Sequence, residues 1–251
     1  VDNLYKQDQF IMFEEEEAFR TKLSGFQRCT RDKSDINDDL PLNVVLIGNR
    51  NVIRDTLFRA GWKLPGTFSF STAFKTAEAF FSGKFPLSVP VAPQYLFGRK
   101  QDISIHKGRD SLHERNCLNL WRTPWIFKGK NVWIGNISRD IGIKRKSKSL
   151  NFANKIDPDI DNAYYYFFMD VMMAQGLAKF GVVKYIGKST PENPGTTLSG
   201  SPYWTGGKRA VLLFSDDRIA MDEIDFFNWD FNQSVKEAIQ EMEQKSRETG
   251  L

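Results

Sequence analysis

The sequence predicts an α+β fold, in which helices cover a mixed, largely antiparallel sheet and polar helical extensions lie at both ends. An apolar, β-branched run (LNVVLIG, residues 42–48) precedes helical periodicity over residues 51–61, which indicates a strand–turn–helix unit. Alternating apolar segments around a Gly-containing turn at residues 127–131 are typical of a β-hairpin. Together with a long helix predicted over residues 157–180, this mixture of local strands and helices favours a helix-covered sheet.

The composition fits one large globular domain, or one domain with appendages. Of the 251 residues 41% are hydrophobic, and 21 Phe and 6 Trp can fill a sizeable core. No apolar run approaches the ~18–20 residues that span a bilayer, so we expect a soluble chain. Because it begins with Val1 rather than Met, we expect a processed product or part of a longer polypeptide. Cys29 and Cys117 match neither a metal nor a disulfide framework.

The charge is nearly balanced, which argues against nucleic acid as a partner. Lys and Arg number 35 against 31 Asp and Glu, and the run KRKSK at residues 144–148 supplies most of the net charge of +4. Such a short run is either a solvated loop or a contact for phosphate or anionic lipid. A base-stacking platform needs aromatic residues interleaved with many cations on one face. We therefore expect Trp121, Trp125 and Trp133 to pack the sheet instead.

Three zones follow one another along the chain. Residues 1–39 predict an amphipathic helix around residues 10–23 and a linker at residues 32–39, which form either a surface tether or an interaction arm. Residues 40–216 form the globular body. Residues 217–251 form a polar tail with a helix over 234–247, preceded by the aromatic segment FFNWDF (226–231). That segment either folds back onto the body or docks on a partner, since water is a poor environment for it.

The elements of the body follow in order. The turn after residues 42–48 lacks GxGxxG and the Lys of a phosphate-binding loop, which excludes a nucleotide site of either type. A helix over 72–82 and a Pro-rich extended stretch precede strands at 95–106, 116–127 and 132–145. Pro158 suits the first turn of the helix predicted over 157–180, and Gly181 is expected to end it. Short strands at 182–187 and 208–215 flank a loop rich in Gly, Pro, Ser and Thr.

Arginine and aspartate recur beside aromatic and glycine residues in four segments: YLFGRKQD (95–102), HERNCLNLWR (113–122), WIGNISRDIG (133–142) and KIDPDID (155–161). Ionisable groups in segments that otherwise predict buried strands must be paired. Either they form internal ion pairs that fix strand register, or they line a pocket for an anion such as a lipid phosphate head group. The candidate ligand-binding residues are Arg99, Asp102, Arg115, Arg122 and Arg139.

The same segments contain candidates for catalysis and for metal binding. His113 and Asp140 are the candidate catalytic residues of a hydrolytic site, with His113 as a general base, whereas His106 is expected to be an ordinary strand residue. Asp157, Asp159 and Asp161 are candidate ligands for a hard cation. DPDID nevertheless lacks the glycine and the closing acidic residue of a calcium loop. The alternative is that these carboxylates cap and begin a helix.

The order of these motifs resembles the LssY C-terminal domain family. The opening LNVVLIG…AGW and the closing YWTGGKRAV also fit, so that the resemblance covers residues 40–214. It implies a bacterial domain, often attached to membrane-embedded modules of the phosphatidic-acid-phosphatase-like or DedA-like type, and no established activity. Asn116 and Cys117 stand where the family tends to have a second histidine, and Asn154 where it tends to have another. An acidic–Arg pair that often follows DPDID is replaced by NAYYYFF (162–168).

These departures favour binding over catalysis. We expect a non-catalytic accessory or interaction domain, membrane-associated or part of a larger assembly, with protein partners, an anion-binding Arg/Asp cluster and no cofactor. Two alternatives stay open. One is a phosphoester hydrolase that uses His113 with the Asp and Arg residues, and the other is a structural subunit that docks through its terminal arms.

Overall fold

The computed structural model describes residues 4–64, 93–108, 114–145, 152–184, 187–227 and 229. Within these residues there are three α-helices: α1 (Glu16–Ser24), α2 (Arg50–Arg59) and α3 (Asp161–Met173). The strands of the described residues are β1 (Ile11–Phe13), β2 (Cys29–Arg31), β3 (Asp38–Pro41), β4 (Val44–Ile47), β5 (Tyr95–Leu96), β6 (Arg99–Lys100), β7 (Ile103–Gly108), β8 (Arg115–Phe127), β9 (Lys130–Arg145), β10 (Phe152–Ile156), β11 (Leu177–Lys184), β12 (Gly195–Thr196), β13 (Pro202–Tyr203), β14 (Lys208–Phe214) and β15 (Asp225–Phe226).

The prediction of an α+β fold with a helix-covered sheet is wrong. The described chain is mostly β, with a curled mixed sheet and only short helices. The main physical reason lies in residues 157–180, where one long helix was expected. The helix α3 ends at Met173, and residues from Leu177 onwards form strand β11. Gln175 takes a positive φ of 56°, which turns the chain out of the helix six residues before Gly181.

Among the described residues, the main sheet has nine strands and is organised around the β8–β9 hairpin. Its principal order is β1-β8-β9-β4-β14-β11-β15, while β7 pairs with β8 and β10 pairs with β9. The predicted hairpin turn is confirmed: Lys128 and Gly129 have φ values of 46° and 74°, as a two-residue turn between twisted strands requires. The strands predicted at 42–48 and 208–215 are present as β4 and β14, which pair in parallel.

Both faces of this sheet are buried. Trp133 and Leu212 lie on the face against which α2 and α3 pack, together with Phe167 of α3. Trp121 and Val211 lie on the other face with residues of α1. Burial on both sides explains why β4 is a continuous apolar run rather than an alternating one.

The first zone of the chain is part of this core. Strand β1 pairs in parallel with β8, and α1 buries Phe19 and Leu23 completely. The helix predicted around 10–23 therefore begins later, at Glu16. The predicted linker at 32–39 is a tight turn between β2 and β3. In that turn the carboxylate of Asp32 accepts hydrogen bonds from the backbone N–H of Ile36 and the side-chain amide of Asn37, which lower the pKa of Asp32.

Two described residues of the aromatic segment 226–231, Phe227 and Trp229, fold back onto the body, while Phe226 is exposed. Phe227 and Trp229 are buried, and their rings stack with centroids 4.4 Å apart. Gly181, which was expected to end a helix, lies inside β11 beneath them. A Cβ at Gly181 would come within 2.9 Å of both rings, so glycine at this position permits the aromatic packing.

Some predictions lie outside the described residues. They are the helix at 72–82, the helix at 234–247, most of the basic run at 144–148 and the candidate base His113. Among the helices that the structure does describe, each is too short or too polar to cross a bilayer.

Candidate functional site

Arg115 and Asp140 form a buried ion pair between β8 and β9. They face each other in register, and Arg115 Nε donates to Asp140 Oδ2 at 2.9 Å. The Cys117 thiol donates to the same oxygen at 3.4 Å. Burial raises the pKa of Asp140 although Arg115 opposes the shift, and it raises the pKa of Cys117 well above that of a free thiol. Asp140 is thus buried within the sheet and paired with Arg115, and it does not lie in an open cleft.

Arg139 joins three of the motifs recognised in the sequence. Its guanidinium pairs with Glu114 of the HER element and, at 3.4 Å, with Asp157 of DPDID. The ion pairs raise the pKa of Arg139 further above its already high value. Arg139 therefore fixes the start of β8 and the end of β10 against β9.

Arg99 and Asp102 lock the β6–β7 turn onto β8. Arg99 donates two hydrogen bonds to Asp102, at 3.2 and 2.9 Å, and a third at 2.6 Å to the backbone oxygen of Arg122. Asp102 in turn accepts the backbone N–H of Arg122 at 2.6 Å. The pair is therefore engaged with a strand and has the geometry of a structural clasp.

Arg122 supports the irregularity in the β8–β9 hairpin. The pairing shifts register between Arg122 and Ile126, which leaves backbone carbonyls without ladder partners. The guanidinium of Arg122 donates to the carbonyls of Trp125 and Val132, each at 3.3 Å, and also bonds Asn131 Oδ1. The guanidinium of Arg122 therefore stabilises this bulge by bonding its carbonyl groups.

The structure does not bring these arginines to one pocket. Arg115 and Arg122 are seven residues apart on β8, an odd separation that points side chains to opposite faces of a strand. At ~3.4 Å per residue they lie roughly 24 Å apart. Ligand binding by Arg99, Asp102, Arg115, Arg122 and Arg139 stays a prediction, and in this structure their charged groups meet other protein groups.

The three candidate metal ligands, Asp157, Asp159 and Asp161, lie around the start of α3, where their carboxylates or backbone groups make hydrogen bonds within the protein. Asp157 Oδ1 accepts the backbone N–H of Asp159, while Asp161 accepts the Thr205 hydroxyl and the Gly206 N–H, each at 2.7 Å. Burial and the neighbouring Asp161 raise the pKa of Asp159. Among the described residues there is no group of three or more His, Cys, Asp or Glu side chains placed to hold a metal ion.

Asp161 links the DPDID motif to the YWTGGK motif. The chain at Trp204 makes a parallel bridge with Asp159, and Trp204 N donates to Pro158 O at 2.8 Å. Thr205 then bridges back to Ser189, so that the loop before β14 lies between α3 and the loop after β11. The family motifs thus build and position one surface loop, which borders two cavities.

These two adjoining cavities form what we call the basic groove. The first, of about 730 Å³, lies between the β2–β3 region and the loop after β11, and the second, of about 670 Å³, lies between that loop and the start of β14. Both are lined by Gly187, Lys188, Ser189 and Thr205. The charged side chains that line the groove are Arg28, Arg31, Lys184, Lys188, Lys208 and Asp38.

Cations dominate the groove. The lining residues include five cations and one carboxylate, Asp38. Arg31 is neutralised by Asp38 at 3.3 Å and by Asp35 at 3.5 Å, which leaves the other cations to set the charge of the groove. Within the part of the chain that the structure describes, Arg28 and Lys188 make no ion pair. The groove therefore has an unbalanced positive charge, which would attract an anion.

Two glycines allow the walls of the groove to approach each other. Gly187 and Gly207 have positive φ values of 84° and 77°. A Cβ at Gly187 would lie 2.8 Å from Arg28 Nη1, and one at Gly207 would lie 3.2 Å from the backbone of Gly187. Glycine is thus favoured at both positions by the backbone conformation, and at Gly207 also by the close approach of the Gly187 backbone.

Sequence reasoning missed this groove as a site. The resemblance drew attention to YWTGGK as a motif, but no chemistry was assigned to it. The available signal was the recurrence of Lys184, Lys188 and Lys208 around glycines, in a stretch where Glu192 is the one acidic residue. The contribution of Arg28 had no local signal, because it comes from the first zone of the chain.

His106 lies in β7, as expected of a strand residue, opposite Cys117. Its ring is half-buried, Nδ1 has no hydrogen-bond partner, and burial, Arg115 and Lys63 all lower the pKa of His106 below 6.5. Between that folded-state pKa and about 6.5 the unfolded chain binds more protons than the folded chain, so stability must fall as the pH falls through this window.

We therefore expect the free energy of unfolding to decrease between about pH 7.5 and about pH 5.5, and His106→Gln to reduce that decrease. Urea denaturation of both proteins at several pH values measures it. His113→Gln is the control for the second histidine of the chain. Equal pH dependence of the wild type and His106→Gln would contradict the assignment.

Comparison with known proteins gives a family and nothing closer. No curated protein and no solved structure matches the chain. The family model described as LssY C-terminus matches residues 21–208, which confirms the resemblance expected from the motifs. This match begins within α1, whereas the division of the chain at residues 39 and 216 stays a prediction. Because the matched region covers well over half of its length, the chain belongs to the LssY C-terminus family.

Proposed function

We propose that this chain is a non-catalytic accessory domain that binds a phosphate-class anion in the basic groove. The observation that carries the proposal is the set of cations that line the groove, of which Arg28, Lys184 and Lys188 make no ion pair among the described residues. Cations that serve solubility alone are spread over the surface, whereas these line two adjoining cavities beside Gly187 and Gly207.

A phosphate fits the donors of the groove better than a carboxylate or a neutral ligand does. A guanidinium fork and an ammonium supply several N–H groups to one anion, and phosphate has enough oxygens to accept them together. Ser189 and Tyr203 add hydroxyl groups to the lining of the first cavity. The Arg28 guanidinium lies close to Gly187, which lines both cavities, so it is already at the wall where the anion would bind.

The absence of a poised nucleophile in the groove supports binding without catalysis. Cys29 is the thiol that lines the first cavity, and burial raises its pKa to about 11, so the thiol stays protonated and unreactive at neutral pH. The candidate acid Asp140 is buried in its pair with Arg115. A hydrolytic role would need a group that activates water, and the carboxylate among the described lining residues, Asp38, is paired with Arg31 at 3.3 Å.

Attachment to a larger, membrane-associated assembly with protein partners is the second part of the proposal. It is supported by what the family resemblance implies about neighbouring modules. In such an assembly the domain would sense or present an anionic ligand for a partner that performs the chemistry.

Titration calorimetry with inorganic phosphate at low ionic strength tests the anion site. Arg28→Ala and Lys188→Ala should each weaken binding by about tenfold, because each removes a charge-assisted contact worth about 1.5 kcal/mol. Arg54→Ala and Lys100→Ala are matched controls, since both are cations outside the groove. Absence of phosphate binding by the wild type, or equal weakening in the controls, would overturn the proposal.

A further inference from the structure

The two cavities of the basic groove differ in chemistry although they share a wall. The first is lined mainly by polar groups, including Arg28, Ser189 and Tyr203. The second exposes mainly apolar surface, to which Pro191 and the ring of Trp204 contribute. The groove therefore offers a polar compartment and an apolar compartment side by side.

The size of the groove also favours a ligand larger than a phosphate ion. The cavity volumes of about 730 and 670 Å³ lie within the range that encloses small organic ligands, and a free phosphate ion would leave most of either cavity unfilled. Lys188 and Thr205 line both compartments, so an anion held at the shared wall has access to each. A group attached to that anion can then extend into the second cavity.

Trp204 is held firmly enough to serve as a binding surface. Its backbone N–H donates to Pro158 O at 2.8 Å, and its carbonyl accepts the N–H of Ile160. The next residue is tied by the Thr205 hydroxyl to Asp161 at the start of α3. The backbone that carries the indole is therefore fixed on both sides, so the ring stays at the wall of the second cavity, where an apolar group can pack against it.

We infer that the groove binds a phosphomonoester with an apolar substituent, the phosphate between Arg28 and Lys188 and the substituent against Trp204 and Pro191. This inference rests on the proposed anion site and adds the class of ligand. A phosphomonoester that carries an aromatic ring and one that carries an aliphatic chain share this chemistry. The binding experiment separates them.

Calorimetric titration of the wild type with inorganic phosphate, phenyl phosphate and hexyl phosphate tests the inference. At least one ester should bind about tenfold more tightly than phosphate, and the preferred ester indicates the kind of substituent. Trp204→Ala should remove that gain and leave the affinity for phosphate unchanged. Tyr165→Ala, which removes an exposed aromatic ring on α3, is the control.

The outcomes distinguish the two proposals. Phosphate binding without any gain from either ester overturns the ligand class and leaves the anion site standing, whereas absence of binding to phosphate and to both esters overturns the anion site itself. A gain that persists in Trp204→Ala also overturns the inference. If Trp204→Ala does not fold, Pro191→Ser, in an exposed part of the loop, provides the second variant.

Discussion

Replacing Arg209 by alanine should lower the free energy of unfolding by about 3–5 kcal/mol, because three backbone carbonyls would lose a charged donor in the interior. Arg209 lies on β14 and is 1% exposed. It donates to Leu42 O at 2.7 Å, to Leu23 O at 2.6 Å and to Gln27 O at 2.9 Å. Leu23 lies in the last turn of α1, where a cation also meets the negative end of the helix dipole.

The burial of the Arg209 charge destabilises the fold, and the hydrogen bonds of its guanidinium stabilise it. Burial lowers the pKa of Arg209 to about 9, so the guanidinium stays charged at neutral pH at a cost in desolvation. Removing the side chain relieves that cost but leaves a cavity and the unbonded carbonyls. Because one residue joins α1, the chain before β2 and the chain before β4, the loss of its contacts outweighs the relief.

Urea denaturation followed by far-UV circular dichroism measures the effect. Arg209→Met is the informative second variant, since it fills most of the volume and separates the cavity from the lost hydrogen bonds. Arg54→Ala, at an exposed position on α2, should change stability by less than about 0.5 kcal/mol. A change for Arg209→Ala as small as that of Arg54→Ala would show that the buried arginine is dispensable.

The parts of the fold that the sequence predicted depend on local signals. The turn at Lys128 and Gly129 lies between two alternating segments, and this short-range pattern was sufficient to place the β8–β9 hairpin. Strands β4 and β14 were recognised from their β-branched apolar runs. In each case, residues adjacent in sequence determine the structure.

The prediction of one helix over residues 157–180 was wrong because the structure there depends on contacts between distant residues. The aromatic run from Tyr164 onwards fits a buried helix or a buried strand equally well, so periodicity could not locate the end of α3. Strand β11 is stabilised by pairing with β14 and by Phe227 and Trp229, which lie about fifty residues further along the chain. Contacts over that separation leave no mark in a local pattern.

The candidate site also divides into features that local sequence predicts and features that depend on the tertiary fold. The sequence indicated that the Arg and Asp residues between 95 and 161 must be paired, and the structure provides partners for them. It could not indicate which pairs form, because Arg115 meets Asp140 only through the register of two strands. The basic groove was out of reach, since Arg28 and Lys188 are 160 residues apart and meet through the tertiary fold.

Removing either member of the Arg115–Asp140 pair should cost about 3–5 kcal/mol of unfolding free energy, because the partner would be left as an unpaired buried charge. Both residues are 6% exposed and form the pair at the end of the β8–β9 register, where β8 begins. Arg115→Met and Asp140→Leu are the single variants, and denaturant unfolding measures each. The exposed pair Arg54–Asp55, at 2.8 Å, is the control and should contribute less than about 1 kcal/mol.

The double variant Arg115→Met/Asp140→Leu decides what the pair does. If the pair has a structural role, packing two apolar side chains in its place should recover most of the lost stability, since no buried charge remains. Phosphate binding in the groove should also persist in the double variant, because neither residue lines it. Recovered stability with lost phosphate affinity would instead place Arg115 and Asp140 in the ligand-binding machinery, as the sequence first suggested. The same protein therefore separates a pair that holds β8 and β9 together from one that acts on a ligand.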